Sequence, residues 1–438
     1  MLGHEETCPG EREKQANLFM SGGLARGTCP TVLALEADLP VRTPSDGTPR
    51  PRTALGRRAA LRKAVHDQLL ATGFSQTPSG YMVSGDMTKQ RVRDLHSTQR
   101  HDNIERNKPF VRTYGAELMR HFAAGNRVDP AAVEPELVEV VAGTLESRLF
   151  RFACLLWSIP VSQGFGRRVR FLVRDRQNGC LIGLFALGDP VFNLSARDKW
   201  IGWTSEDRRE RLTHVMDAYV LGSVPPYSLL LGGKLVASLI GSREVSDAYE
   251  QKYLGKRSVI AKKTNRARLV LLTTTSALGR SSIYNRLSIP DGPQFIRVGA
   301  TRGFGHFHIS GALFEELRGY LADSGHAYAT GNRFGMGPNW KLRVVREALD
   351  SLGLDGNAVL RHGIEREVYA IPLAEDCKAI LLGNKRTVHP CTLPAEQIAE
   401  YCRARWMIPR ASRDNRYMDF DTSTILRSLL DGGPGPTW

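Results

Sequence analysis

No uninterrupted apolar run of about 20 residues occurs in the 438-residue chain, so nothing in it reads as a membrane span. Its opening stretch, MLGHEETCPGEREKQ, is polar and charged where a secretory signal needs an apolar centre, which sets a cytoplasmic expectation. Cysteine is sparse: Cys8, Cys29, Cys154, Cys180, Cys377, Cys391 and Cys402 include no CxxC pair, arguing against a disulfide framework or a structural zinc site. Only Cys377, Cys391 and Cys402 fall loosely together, and no metal is assigned to them. No repeat of solenoid period is present. Acidic residues are in deficit, 45 against 60 lysines and arginines.

That deficit leaves a formal net charge of +15, which makes a polyanion the natural partner, with charge-maintained solubility as the bland alternative. The cations cluster. Arg42, Arg50, Arg52, Arg57, Arg58, Arg62 and Lys63 form one group, and Arg167, Arg168, Arg170, Arg174 and Arg176 a second. Lys256, Arg257, Lys262, Lys263, Arg266 and Arg268 form a third, and Arg403, Arg405, Arg410, Arg413 and Arg416 a fourth. Several separated groups suit a long phosphate backbone better than one small anion, and such contacts supply affinity without base specificity.

Residues 1–55 are rich in Gly, Pro and Thr without periodicity and read as a disordered basic arm. Residues 56–150 read as a helical N-terminal domain: ALRKAVHDQLLATG and TYGAELMRHFAAGN both end at a Gly stop, and DPAAVEPELVEVV supplies a further helix start. Residues 151–293 form an α/β core. In VRFLVRDRQNGCLIGLFALGDPV two apolar runs flank an Asn-Gly turn, which is a β-hairpin signal. Ser205 is the expected cap of the next helix, with Glu206 and Asp207 in its first turn. ARLVLLTTTS is a strand without polar alternation, as in a sheet covered on both faces. Residues 294–430 read as a C-terminal α+β region, and 431–438 as a flexible tail.

The stretch DAYVLGSVPPYSLLLGGKLVASLIGS places Gly232 and Gly233 at the head of an apolar helix, although Gly costs a helix about 1 kcal/mol relative to Ala. Either a neighbouring backbone or a ligand approaches closely there. In FNLSARDKWIGW, Arg197 and Asp198 stand beside Trp200 and Trp203. A local ion pair with core tryptophans competes with Asp198 joining Asp217 or Glu206 around Mg²⁺, or with tryptophans stacking on unpaired bases. His306 and His308, two apart, would face one side of a strand and could meet His362 in a metal or acid–base cluster, or be buried hydrogen-bonded histidines. GFGRRVR, with Arg167, Arg168 and Arg170, and RGFG, with Arg302, suit phosphate contact plus stacking. Lys341, Arg343 and Arg346 line one side of a helix and could follow a DNA backbone or face water.

From hairpin through SALGRSSIYNRL, residues 167–287 resemble the core of the GNAT acyltransferase fold. That resemblance implies a GNAT-like mixed central sheet, a pyrophosphate loop at Leu231, Gly232, Gly233 and Lys234 capped by Ser228, and a helix carrying Tyr284 as the proton donor to a leaving thiolate. The loop departs from the usual Arg/Gln-x-x-Gly-x-Gly/Ala. Over a longer span, about 148–382, WSIPVSQGFGRRVRFLV, LIGLFALGDPVFNLSARDKWIGW, MDAYVLGSVPPYSLLLGGKLVA, TTTSALGRSSIYNRL, VGATRGFGHFHI, GPNWKLRVVREALDSLG and HGIEREVYAIPLA occur in the order that resembles the DruA family of Druantia anti-phage systems. The resemblance implies a bacterial defence or mobile-element setting and, taken with the +15 charge, a defence component that binds nucleic acid, most naturally DNA, alongside other defence proteins such as a helicase. The alternatives are an acyltransferase using acetyl-CoA and a Mg²⁺-dependent nuclease or transposase-like enzyme. The residues do not decide whether a reaction occurs.

Overall fold

The structure is a computed structural model that describes residues 54–77, 80–83, 87–161, 166–257, 264–331 and 338–431. Residues 1–53 of the basic arm, Lys262, Lys263, most of the glycine-rich loop GNRFGMGPN and residues 432–438 of the terminal tail lie outside the described residues. The strands are β1 (Phe74–Thr77), β2 (Gly80–Val83), β3 (Pro135–Glu139), β4 (Arg168–Asp175), β5 (Leu181–Gly188), β6 (Val215–Ser223), β7 (Leu271–Thr275), β8 (Ile296–Ala300) and β9 (Glu367–Pro372). β1 and β2 make a small hairpin, and the others form a seven-stranded sheet ordered β3-β4-β5-β6-β7-β9-β8. Every neighbouring pair is antiparallel except β6 and β7. The class is mixed α/β, as the sequence indicated.

The sheet is built as its residues dictate. β5, LIGLFALG, is buried along its whole length and β7 nearly so, which suits strands covered on both faces. The Asn-Gly hairpin forms, with Gly179 at φ +72° where a side chain would be strained. Beside that turn the buried Asp175 accepts from the Tyr227 hydroxyl at 2.7 Å, and Asn178 Nδ2 donates to the same hydroxyl at 2.8 Å. Tyr227 thereby pins the short turn that precedes the helix Gly232–Leu239.

That anchoring explains the first glycine. A Cβ on Gly232 would stand 2.6 Å from the Tyr227 carbonyl oxygen, and one on Gly233 would stand 3.1 Å from Ile283 Cδ1. The protein itself makes the close approach. Ser228 does not cap this helix: its hydroxyl is buried without a hydrogen-bond partner, and Leu231, at φ +62°, occupies the cap position.

Three further expectations are corrected. DPAAVEPELVEVV yields the edge strand β3, because Leu137 and Val138 pair with β4 and Pro135 takes the first strand position, where its missing N–H is harmless. The helix Ser205–Arg211 is capped by Thr204, whose hydroxyl accepts from Asp207 N while Asp207 reaches back to Thr204 N, so the cap lies one residue before Ser205. Residues 301–309 form no named strand, so His306 and His308 do not share a strand face.

The helices expected in the N-terminal part do not pack only on one another. The helix Ala54–Ala71 shares a core with Gly311–Asp323 and Pro338–Ser351, while Ser97–Met119 packs with Ser423–Leu430. No helix among the described residues is long and apolar enough to cross a membrane.

Candidate nucleic-acid interface

β8 is the last strand of the sheet, so one of its edges is unpaired within the sheet order. Against it packs the helix Ser195–Ile201, whose Ala196 Cβ would lie 3.0 Å from a Cβ on Gly299. Between that helix and the residues after β8 opens a cleft of about 460 Å³ lined by Asn193, Ser195, Asp198, Lys199, Gly202, Trp203, Arg208 and Arg302. Lys199 and Arg302 are exposed. Arg208 carries its guanidinium 5.3 Å from the centre of the Phe192 ring, which is 43% exposed.

The floor of this cleft is structural. Arg197 is fully buried, its Nε 2.8 Å from Asp198 Oδ1, and its two terminal nitrogens donate to the Val191 and Phe192 carbonyls, each at 2.9 Å. Asp198 is 6% exposed, and its second oxygen accepts from Arg208 at 3.1 Å and from Leu194 N at 3.3 Å. A carboxylate so fully engaged has no oxygen left for a cation. Trp203 is also buried, donating Nε1 to the Leu381 carbonyl at 2.6 Å, and Lys378 sits 4.3 Å over the ring of Trp200. The local ion-pair reading of Arg197 and Asp198 therefore describes the structure, and Arg197 and Trp203 are not presented to a base.

Asp217 lies near Arg197 too, but at the fork of the sheet. β6 and β7 pair from Val215↔Leu271 to Asp217↔Thr273, and beyond that β6 continues to Ser223 without β7. Asp217 accepts from Thr273 at 2.7 Å, and Thr274 donates to the Ala218 carbonyl at 2.9 Å across the fork. Burial pushes the Asp217 carboxyl up to about 6, against the pull of Thr273 and Arg197. Tyr284 lies close by, on a turn where a helix was expected, its ring stacked on Phe295 and edge-on to Tyr369. Burial, before all else, raises its phenol well above the ordinary range. Lys234 stands over the Trp406 ring at 4.7 Å, and burial with nearby Arg405 and Arg286 lowers its pKa.

The cation groups fare unequally. Arg167 is consumed by Asp189, by the Thr213 and Val215 carbonyls and by the Tyr249 hydroxyl. Arg174 and Arg176 pair with Glu146 and Glu134, Arg57 with Asp323, and Arg410 and Arg416 with Asp414. Arg170 lies 5.7 Å from the Phe150 ring centre, Lys341 5.4 Å from Phe314 and Arg343 6.0 Å from Tyr328, while Arg168 is exposed. Much of the positive charge is thus spent on internal carbonyls and carboxylates, Arg208 on Asp198 included, and the cleft beside β8 gathers two exposed cations, Lys199 and Arg302.

The histidines do assemble, with one that the spacing did not indicate. His308 and His362 have ring centres 6.3 Å apart, and His96 stacks on Phe307 at 4.0 Å, Phe307 in turn touching both. Burial lowers His96 and His306 to about 4, and His308 and His362 to about 3. Both ring nitrogens of His308 are buried, and the Val359 backbone acts against the effect of burial on its pKa without reversing it. Among the described residues no group of three His, Cys, Asp or Glu side chains is disposed to hold a metal ion.

A second cleft, of about 430 Å³, is lined by Arg280, Asn285, Arg297 and Glu367. None of these was singled out by motif. They come from three chain segments, and only the arginines within SALGRSSIYNRL and FIRV offered a signal.

Comparison with known proteins agrees with the ordered segments. Residues 86–383 match the family described as Druantia protein DruA. The chain is 48% identical over 363 residues to the Druantia protein DruA of Escherichia coli (strain UMEA 4076-1), a match covering 82% of this chain and 89% of that one. No solved structure matches it.

Proposed function

Since the chain belongs to the Druantia protein DruA family, a family of anti-phage defence components, we propose that its part in defence is to hold DNA along the cationic cleft beside β8. The observation that carries this reading is the meeting of the exposed Lys199 and Arg302 in one cleft, next to the exposed ring of Phe192 over which Arg208 lies. Cations there meet phosphate, and an exposed aromatic ring gives a base something to stack on. The contacts are of the backbone-reading kind, so affinity depends on salt more than on sequence.

Binding over a salt series tests it. Lys199→Glu with Arg302→Glu is expected to weaken DNA binding at least about tenfold and to reduce the slope of log affinity against log salt by about 1 for each cation lost. Affinity that is flat against salt, or unchanged in the double variant, overturns the reading.

A second reading, GNAT-type transfer from acetyl-CoA, draws support from the parallel β6–β7 pair joined through the Gly232–Leu239 helix, with Lys234, Arg286 and Arg405 near its start. It competes with the fact that Tyr227 and Ile283 already fill the space at the two glycines. Calorimetric titration with coenzyme A decides it: binding lost in Gly233→Glu supports transfer, and no binding to the intact protein removes it.

A further inference from the structure

The second cleft has a construction of its own. Glu367 opens β9 and accepts from four donors: Tyr369 hydroxyl at 2.5 Å, Arg297 Nε at 2.8 Å, Ser281 N at 3.1 Å and Asn285 Nδ2 at 3.4 Å. Burial opposes its ionisation, but Tyr369, Ser281 and Arg297 more than offset this and hold the carboxyl below its usual range. Glu367 N also bonds the Gly279 carbonyl, and Ser276 N bonds the Glu367 carbonyl, so this residue fixes the loop that carries Arg280. Ser281 Oγ then accepts from Ile283 N and Tyr284 N, shaping the turn that follows.

The consequence is orientation. Arg297 is held through Nε alone, which leaves the outer edge of its guanidinium free to face the cleft. Arg280 lines the same cleft, is exposed, and has no carboxylate partner among the described residues. Lys89, at 3.0 Å from Ser282 Oγ, adds a third cation to the same turn against the single charge of Glu367.

We propose that Arg280 and Arg297 clamp a phosphate monoester. Together with Lys89 on the adjoining turn, which does not itself line the cleft, the two arginines exceed the single charge of Glu367 by two, a balance that suits a dianion better than an internal phosphodiester, and guanidinium edges suit bidentate contact with phosphate oxygens. At about 430 Å³ the cleft lies within the range of small-ligand sites, so it has room for more than the phosphate itself. Two sources share this chemistry: the terminal phosphate of a nucleic-acid strand, and a free nucleotide. The strand end rests on the DNA-binding reading above; the clamp does not.

The test uses the full chain with three probes: oligonucleotides bearing a terminal phosphate at the 5′ or 3′ end, the same strands with hydroxyl ends, and a nucleoside monophosphate. A preference of about tenfold for a phosphorylated end, lost in Arg280→Gln, supports the clamp with a strand end as ligand. Nucleotide binding abolished by Arg280→Gln, with neither oligonucleotide form bound, supports the clamp and overturns DNA binding. No preference for phosphorylated ends together with no nucleotide binding overturns the clamp, whether or not DNA binds. Arg280 is exposed, so its replacement leaves the fold intact, and Glu367→Gln serves as a second variant that loosens Arg297 while keeping both cations.

Discussion

Two carboxylates lie near Arg197, and the fold treats them in opposite ways. Asp198, in the cleft floor beside β8, has both oxygens engaged by guanidinium groups and a backbone amide. Asp217, at the fork between β6 and β7, has one hydroxyl donor and a carboxyl pushed up to about 6 by burial. The first charge is committed to holding a loop, and the second is held in reserve. A partly compensated carboxyl thus stands at the fork, and a structural ion pair in the floor. The most severe way to break this contrast is Asp198→Ala, which strands the fully buried Arg197. The expected loss is about 3–5 kcal/mol of stability in denaturant unfolding. A variant of unchanged stability would show that Arg197 is not balanced by Asp198 and would return Asp198 to the list of chemical candidates.

The histidines extend the contrast to groups that fold neutral. His96, His306, His308 and His362, with Arg366 facing His96 and His362, all bind protons less readily in the fold than in the unfolded chain. Their contribution is complete above about pH 6.5 and is lost as pH falls toward the folded values near 4 and 3. For His308 alone, the loss at pH 5 is about 2 kcal/mol. His308→Phe keeps the ring packing against Phe74 and Phe307, so it is expected to shift acid unfolding to lower pH without loss at pH 8. Acid unfolding that does not move would mean that His308 reaches solvent before the cluster opens.

These particular residues show what was legible. The β4–β5 hairpin could be read because Asn178-Gly179 is a local signal, and β7 because its five residues are apolar or β-branched without interruption. β3 was misread because its prolines suit a helix start and an edge strand equally, and only pairing with β4 chooses between them. Arg197 and Asp198, adjacent in the chain, showed their ion pair in the sequence. The clamp did not, because Arg280, Arg297 and Glu367 come from separate segments that meet only when β8 pairs with β9. His96 escaped notice for the same reason: it reaches Phe307 and Arg366 only through tertiary packing. The glycine pair was read correctly as a sign of close approach, but the approaching atoms belong to Tyr227 and Ile283, which no local pattern names.

The finest test of the contrast is Asp217→Asn. Because the folded pKa of Asp217 is raised, the stability tied to it is fully present below the unfolded value of about 4 and is lost as pH rises through about 6. Above that the wild-type chain carries a half-buried charge that one Thr273 bond and Arg197 offset only in part. Asparagine fills the same space and still accepts from Thr273 without ionising. The variant should therefore be more stable than wild type at pH 8 by about 1–2 kcal/mol, discounted for partial exposure, and equal to it at pH 4. A gain that is the same at both pH values would come from packing and not from charge, and no gain at all would show that Arg197 compensates Asp217 as fully as it does Asp198. In that case the fork would hold no reserve, and the two carboxylates would differ only in which loop they secure.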